Sequence, residues 1–114
     1  MFADYRVPQL LRPLGILEYA PALAQRIDAM EDITPGSEEE VEIRAATIHA
    51  VERLRGHLDE AVKAKAKVEA RTGAEVLSDR ASVLTIQVDW LLWERGERTK
   101  GLLPPHHRAL TMYY

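Results

Sequence analysis

One stretch of this chain leaves few choices of fold. Ser37 stands three residues ahead of Glu40, and Glu38, Glu39 and Glu40 fill the turn that follows. A serine hydroxyl in that place accepts a free N–H of the first helical turn, the glutamate answers it, and acids suit the positive end of a helix. From there Val41, Ala45, Ile48, Val51, Leu58 and Val62 recur at intervals of three, four or seven, the period of one helix face. The pattern continues through alanines and charges to about Thr72 and stops at Gly73. A helix of that extent is about 50 Å long and has to be the spine of a 114-residue chain. Its second half, alanine and charge, reads as an exposed extension.

Shorter elements flank the spine. Pro8 sits in the first turn of a short segment that Gly15 closes, a second short helix follows Pro21, and Pro35-Gly36 punctuates the loop before Ser37. Ser78 or Ser82 caps a further helix, VLTIQVDWLLWERGER, whose centre is apolar almost all round, the mark of a buried helix. Gly96 ends or loosens it. The β-branched residues of that run would also suit a strand, but length and flanking charge favour helix. A short final segment, RALTMYY, follows Pro104-Pro105 and ends on two tyrosines. The fold class is all-α, with residues 1–114 forming a single helical domain.

Several function classes fall away on composition. The net charge of −3 argues against a general polyanion binder, so no direct nucleic-acid binding is expected. With no cysteine there is no disulfide, thiolate metal site or cysteine nucleophile. No run is apolar enough to span a membrane, and no secretory leader is legible, which makes the chain cytoplasmic in type. His49 and His57 are eight apart, and His106-His107 match no ligand spacing, so no metal and no cofactor is expected. Nucleophilic triads and glycine-rich phosphate loops are absent.

What remains is a set of charges in apolar stripes. Arg44 falls between Val41, Ile48 and Val51 on the helical wheel, with Glu52 and Arg55 on or beside the same stripe. A charge taken out of water needs a partner or a function. These residues form an internal pair, such as Arg44 or Arg55 with Glu52, or they shape a ligand site. Asp89 interrupts VLTIQVDWLLW between Val88 and Trp90. It either bonds Thr85 or a neighbouring helix end, or it offers acceptors to a planar heterocycle stacked on Trp90 or Trp93.

Four segments together, FADYRVPQLLRPLG, EEEVEIRAATIHAVERLR, VDWLLWERG and PPHHRALTMYY, resemble the C-terminal part of the queuosine salvage proteins, the queuosine 5′-phosphate N-glycosylase/hydrolase family. The blocks ADYRVPQ and EVEIRA are the most specific. The chain departs from the family pattern at His49, Leu91, Glu94, Ala109 and Leu110. The resemblance implies a helix-hairpin-helix DNA-glycosylase-like architecture. It also implies hydrolysis of queuosine 5′-phosphate to release queuine, which then returns to tRNA. Family members carry a large upstream portion, including a lysine with no counterpart here. The resemblance therefore makes this chain the C-terminal part of a larger or split protein, with a second chain or N-terminal half as partner. By the same resemblance Asp4 is the catalytic acid at the ribose and Asp89 recognises the base. Phe2, Trp90 and Trp93 supply stacking surface, Tyr5 lies in the same block as Asp4, and Glu94 takes a contact position. Arg6, Arg44, His107 and Arg108 bind the phosphate or brace the carboxylates. The residues themselves also fit a non-catalytic helical interaction or ligand-binding module that needs a partner chain.

Overall fold

The computed structural model of the chain describes residues 4–71 and 82–109. Four helices follow in order: α1 (Arg6–Leu11), α2 (Pro21–Asp28), α3 (Glu38–Arg71) and α4 (Thr85–Thr99), the last running into a 3₁₀ turn, Lys100–Leu102. Among the described residues there is no strand, only an isolated parallel bridge between Asp32 and Arg108. The all-α reading therefore holds. The expected cap at Ser78, the helix end at Thr72-Gly73 and the tail from Leu110 lie outside the described residues.

Local chemistry sets the helix starts. Asp4 Oδ1 accepts the backbone N–H groups of Arg6 (3.0 Å) and Val7 (3.3 Å), satisfying two donors that open α1. Pro21 is at the first position of α2, where its missing N–H costs nothing. The Ser37 hydroxyl accepts the Glu40 N–H (3.4 Å), as the sequence requires. Glu40 does not complete the box on Ser37; its carboxylate accepts the Gly36 N–H instead (3.1 Å) and also takes the Arg44 guanidinium. Gly36 permits this because its φ of +76° is open to glycine.

The buried face of α3 differs from the expected stripe. Glu40, Ile43, Thr47 and Val51 are interior, whereas Val41, Ala45, Ile48, Leu58 and Val62 face outward. The inward row repeats at three, four and four residues, so the period is right and the phase is displaced. Polar members account for the shift: Thr47 Oγ1 donates to the Ile43 carbonyl (2.7 Å), and Glu40 is paired, so both are buried at little cost. The extension beyond Glu60 has no buried side chain among those described.

Two apolar clusters hold the helices together. Val7 and Leu11 of α1 meet Leu17, Val51 and Val88, while Ile27, Ile33 and Ile43 pack at the other end of the fold. Tyr19 touches both. The α4 helix starts after Leu84, two residues later than a Ser82 cap would place it, with Gln87 Oε1 accepting the Leu84 N–H (2.9 Å). Nor is α4 buried all round: Val88, Asp89 and Gly96 face inward, but Ile86, Trp90 and Leu91 are largely in solvent.

Gly96 neither ends nor loosens α4; it lets α1 approach. A Cβ there would lie 2.8 Å from Cγ and 2.9 Å from Cδ of Arg6. At Gly56 of α3, by contrast, an added Cβ meets nothing within 4 Å. The same substitution should therefore have opposite signs at the two sites. Gly56→Ala should stabilise by about 0.5–1 kcal/mol through helix propensity. Gly96→Ala should destabilise by about 1–3 kcal/mol through overpacking. Urea unfolding checks both, and a neutral or stabilising Gly96→Ala would show that Arg6 can move aside.

Candidate functional site

Arg6 is the hinge pin of the site. Its residue is 9% exposed, and Nε donates to Glu97 Oε1 at 2.6 Å while a terminal nitrogen donates to Gln9 Oε1 at 2.5 Å. Gln9 in turn donates to the Pro104 carbonyl at 2.7 Å, drawing the segment after α4 onto α1. Burial raises the Glu97 carboxyl, but the Arg6 bond and charge, with Lys100, outweigh it and hold Glu97 below the ordinary carboxylate range. The α1–α4 contact thus has a charge-assisted clamp at its centre.

That clamp carries Asp4 to α4. Asp4, Ile86, Asp89, Trp90 and Trp93 line one cleft of about 370 Å³. The two indole rings are stacked, with centroids 5.7 Å apart and planes 28° apart. Asp89 is buried, and Asp4 is half-buried at the start of α1. Desolvation raises the Asp4 carboxyl above its ordinary 3.8; the Val7 and Arg6 N–H groups pull it down, and the charge of Asp89 raises it further. Two carboxyls and an aromatic pair from opposite ends of the chain therefore share one concave surface, suited to a planar ligand with N–H groups and a nearby developing positive charge.

The other residues singled out from the sequence lie elsewhere. Arg44 pairs with Glu40, and Arg55 pairs with Glu52 at 3.0 Å on the exposed side of α3. The Thr85 hydroxyl donates to Glu52. Glu94 holds Arg98 at 2.5 Å on the surface of α4, and Arg108 lies 3.5 Å from Asp32. Tyr5 packs its ring 4.3 Å from that of His106, with the Arg6 guanidinium 5.0 Å over its face. Phe2 lies outside the described residues. His107 is interior, at 2% exposure, rather than on the cleft. Glu97, Gln9 and Ile86 were not anticipated. The signal for the first was Gly96, a glycine inside an otherwise helical run.

Among the described residues no group of three or more histidine or acidic side chains is placed to hold a metal ion. No described helix is long and apolar enough to cross a membrane.

Fold and cleft define an all-helical protein in which two acids and an aromatic pair line one cleft. The queuosine salvage protein model matches residues 1–114, and the chain belongs to that family. It is 41% identical over 114 residues to the queuosine 5′-phosphate N-glycosylase/hydrolase of Dictyostelium discoideum, covering 100% of this chain and 30% of the relative. It is 46% identical over 114 residues to the protein of the same name from Sphaerobacter thermophilus, covering 99% of this chain and 29% of the relative. The protein of that name from Bos taurus is 35% identical over 118 residues, with 100% and 31% covered. The chain thus spans under a third of the length of these curated relatives.

The interior position of His107 has a consequence for acid stability. Burial pushes its imidazole down from 6.5 to about 4, with His106 and Arg44 adding to the drop and Glu40 opposing it. Unfolded chain takes up the proton near 6.5 while the folded state refuses it until about 4. Stability from this group is present above pH 6.5 and is lost as pH falls toward 4. Thermal melts by circular dichroism should show a midpoint that declines across that window, and His107→Gln should flatten the decline. A pH-independent midpoint from 6.5 to 4 would contradict the buried neutral ring.

Proposed function

We propose that the chain is the acid-bearing portion of a queuosine 5′-phosphate N-glycosidase. The observation that carries this reading is the convergence of Asp4, Asp89, Trp90 and Trp93 on one cleft. In the reaction the bond between ribose C1′ and the base nitrogen breaks and water adds across it. Hydroxyl goes to C1′ and the proton to the base, giving ribose 5-phosphate and free queuine. Positive charge builds on the ribose as the bond lengthens, and a fixed carboxylate beside it lowers the barrier. Queuine is a 7-deazapurine without the N7 that a purine offers for protonation, so the sugar side bears more of the burden.

Asp4 takes that role. Its Oδ1 is committed to two backbone N–H groups of α1, which fixes the carboxyl plane, and Oδ2 remains for the ribose. Asp89 accepts the N–H groups of the base, with the Trp90–Trp93 pair as the stacking face. The reading places the chain as one helical domain of a glycosylase-like architecture acting in the cytoplasm. Its partners are the nucleotide, the queuine product destined for tRNA, and the remaining portion of the protein, joined or as a second chain. The guanidinium of Arg6 braces α1 against α4 and leaves phosphate recognition to other cations.

The expected pH profile follows from Asp4. The carboxylate form works, so queuine release should fall as pH drops through a pKa that lies above 3.8. The same raised pKa means that ionising Asp4 costs the fold stability as pH climbs from 3.8 through the folded value. Asp4→Asn keeps an acceptor for the Arg6 and Val7 N–H groups and removes that cost. In the complete protein it should lower queuine release by about a hundredfold or more, with a thermal midpoint at pH 7 no lower than that of the parent. Full release by Asp4→Asn, or none by the complete unsubstituted protein, would sink the assignment.

A further inference from the structure

The outer face of α4 and the second half of α3 form a groove that no other described residue of the chain covers. Leu58 and Val62 of α3, Val83, and Ile86, Gln87, Trp90 and Leu91 of α4 line it around a volume of about 730 Å³, Gln87 being the one polar side chain among them. Ile86, Trp90 and Leu91 are 61%, 62% and 59% exposed. Single exposed apolar side chains need no explanation, but a continuous apolar trough between two helices marks a contact surface.

Two observations bear on what could cover it. More than two thirds of the length of each curated relative lies outside the region this chain matches, and a polypeptide of that size needs a surface on this one. The groove also borders the acid cleft, because Ile86 and Trp90 line both. A body seated in the groove therefore packs on two side chains that also wall the cleft. A second copy of this chain fits less well, since it would bring another net charge of −3 and another acid pair to the same place.

We propose that this groove seats the remaining portion of a queuosine salvage polypeptide, which packs on Ile86, Trp90 and Leu91 and closes the acid cleft. The inference deepens the proposed function by naming the surface through which the second portion completes the site. To test it, the chain is co-expressed with the remaining portion of the Sphaerobacter thermophilus relative, and masses are read by light scattering after size exclusion. A one-to-one complex is expected. Ile86→Glu with Leu91→Glu should weaken it about tenfold or more, because a charge would be buried against carbon. Leu102→Glu, at an 89% exposed position off the groove, should leave it intact. Hydrogen exchange on the unsubstituted complex should slow at residues 58–62 and 83–91, a readout independent of how the variants fold. No complex, a complex indifferent to the double substitution, or slowing confined to other segments would overturn the proposal. So would a homodimer that the double substitution dissolves. A complex that forms through the groove but releases no queuine would sink the catalytic reading alone.

Discussion

A guanidinium almost without water holds the first helix of this protein to the last. Removing an arginine from solvent costs several kcal/mol unless a carboxylate and further acceptors meet it. Glu97 and Gln9 meet Arg6 at 2.6 and 2.5 Å, and Gly96 gives its methylene stem room. The order of dependence is clear from the geometry. Without the missing Cβ at residue 96 the stem could not lie against α4, and without Glu97 the charge could not stay there. With both in place Asp4, two residues before Arg6, reaches the same cleft as Asp89. The clamp also explains why a six-residue helix, too short to persist alone, is ordered here.

Behind this clamp α3 supplies the depth. Val51 joins Val7, Leu11 and Val88 in one cluster, and Ile43 joins Ile27 and Ile33 in the next, two turns earlier on the same helix. Between and beside them the buried row is partly polar. Glu40, Thr47 and His107 are all nearly inaccessible, and the segment bearing His107 runs past Asp32 and Ile33, where the Arg108 carbonyl accepts the Ile33 N–H at 2.6 Å. The end of the described chain is thereby tied to the loop ahead of α3. A neutral buried imidazole beside a carboxylate–guanidinium pair is a structural use of histidine, and it separates His107 from the cleft chemistry.

Much of the architecture was legible because helix punctuation is local. Pro8, Pro21, Ser37 and Gly15 each act within a turn of themselves, and the helices fall where those residues put them, with α4 starting later than a serine cap implied. The acid–tryptophan combination at Asp89, Trp90 and Trp93 was legible for the same reason: an acid flanked by large aromatics is conspicuous on one helix. The phase of α3 was not, because hydropathy assigns Glu40 and Thr47 to the surface and cannot see the bonds that let them be buried. Arg6 was ambiguous between a phosphate ligand and a brace, since its partner Glu97 is remote in sequence. Nor does a wheel drawn on one segment tell whether an apolar face of α4 meets this chain or something else.

That last ambiguity carries the most physical content. An apolar helix surface in water is a standing cost of about 25 cal/mol for each Å² that could be covered, and α4 carries such a surface beside the very cleft where its acid sits. A cleft open on that flank leaves Asp4 and the indoles in contact with solvent of high dielectric, where a carboxylate steadies a nearby positive charge only weakly. Covering Ile86 and Trp90 would exclude water from one wall and strengthen every charge interaction within it. Under the proposed docking, the outward apolar face of α4 and the acids of the cleft are two parts of one design: the surface that would recruit a covering body is the surface whose covering would strengthen the carboxylates.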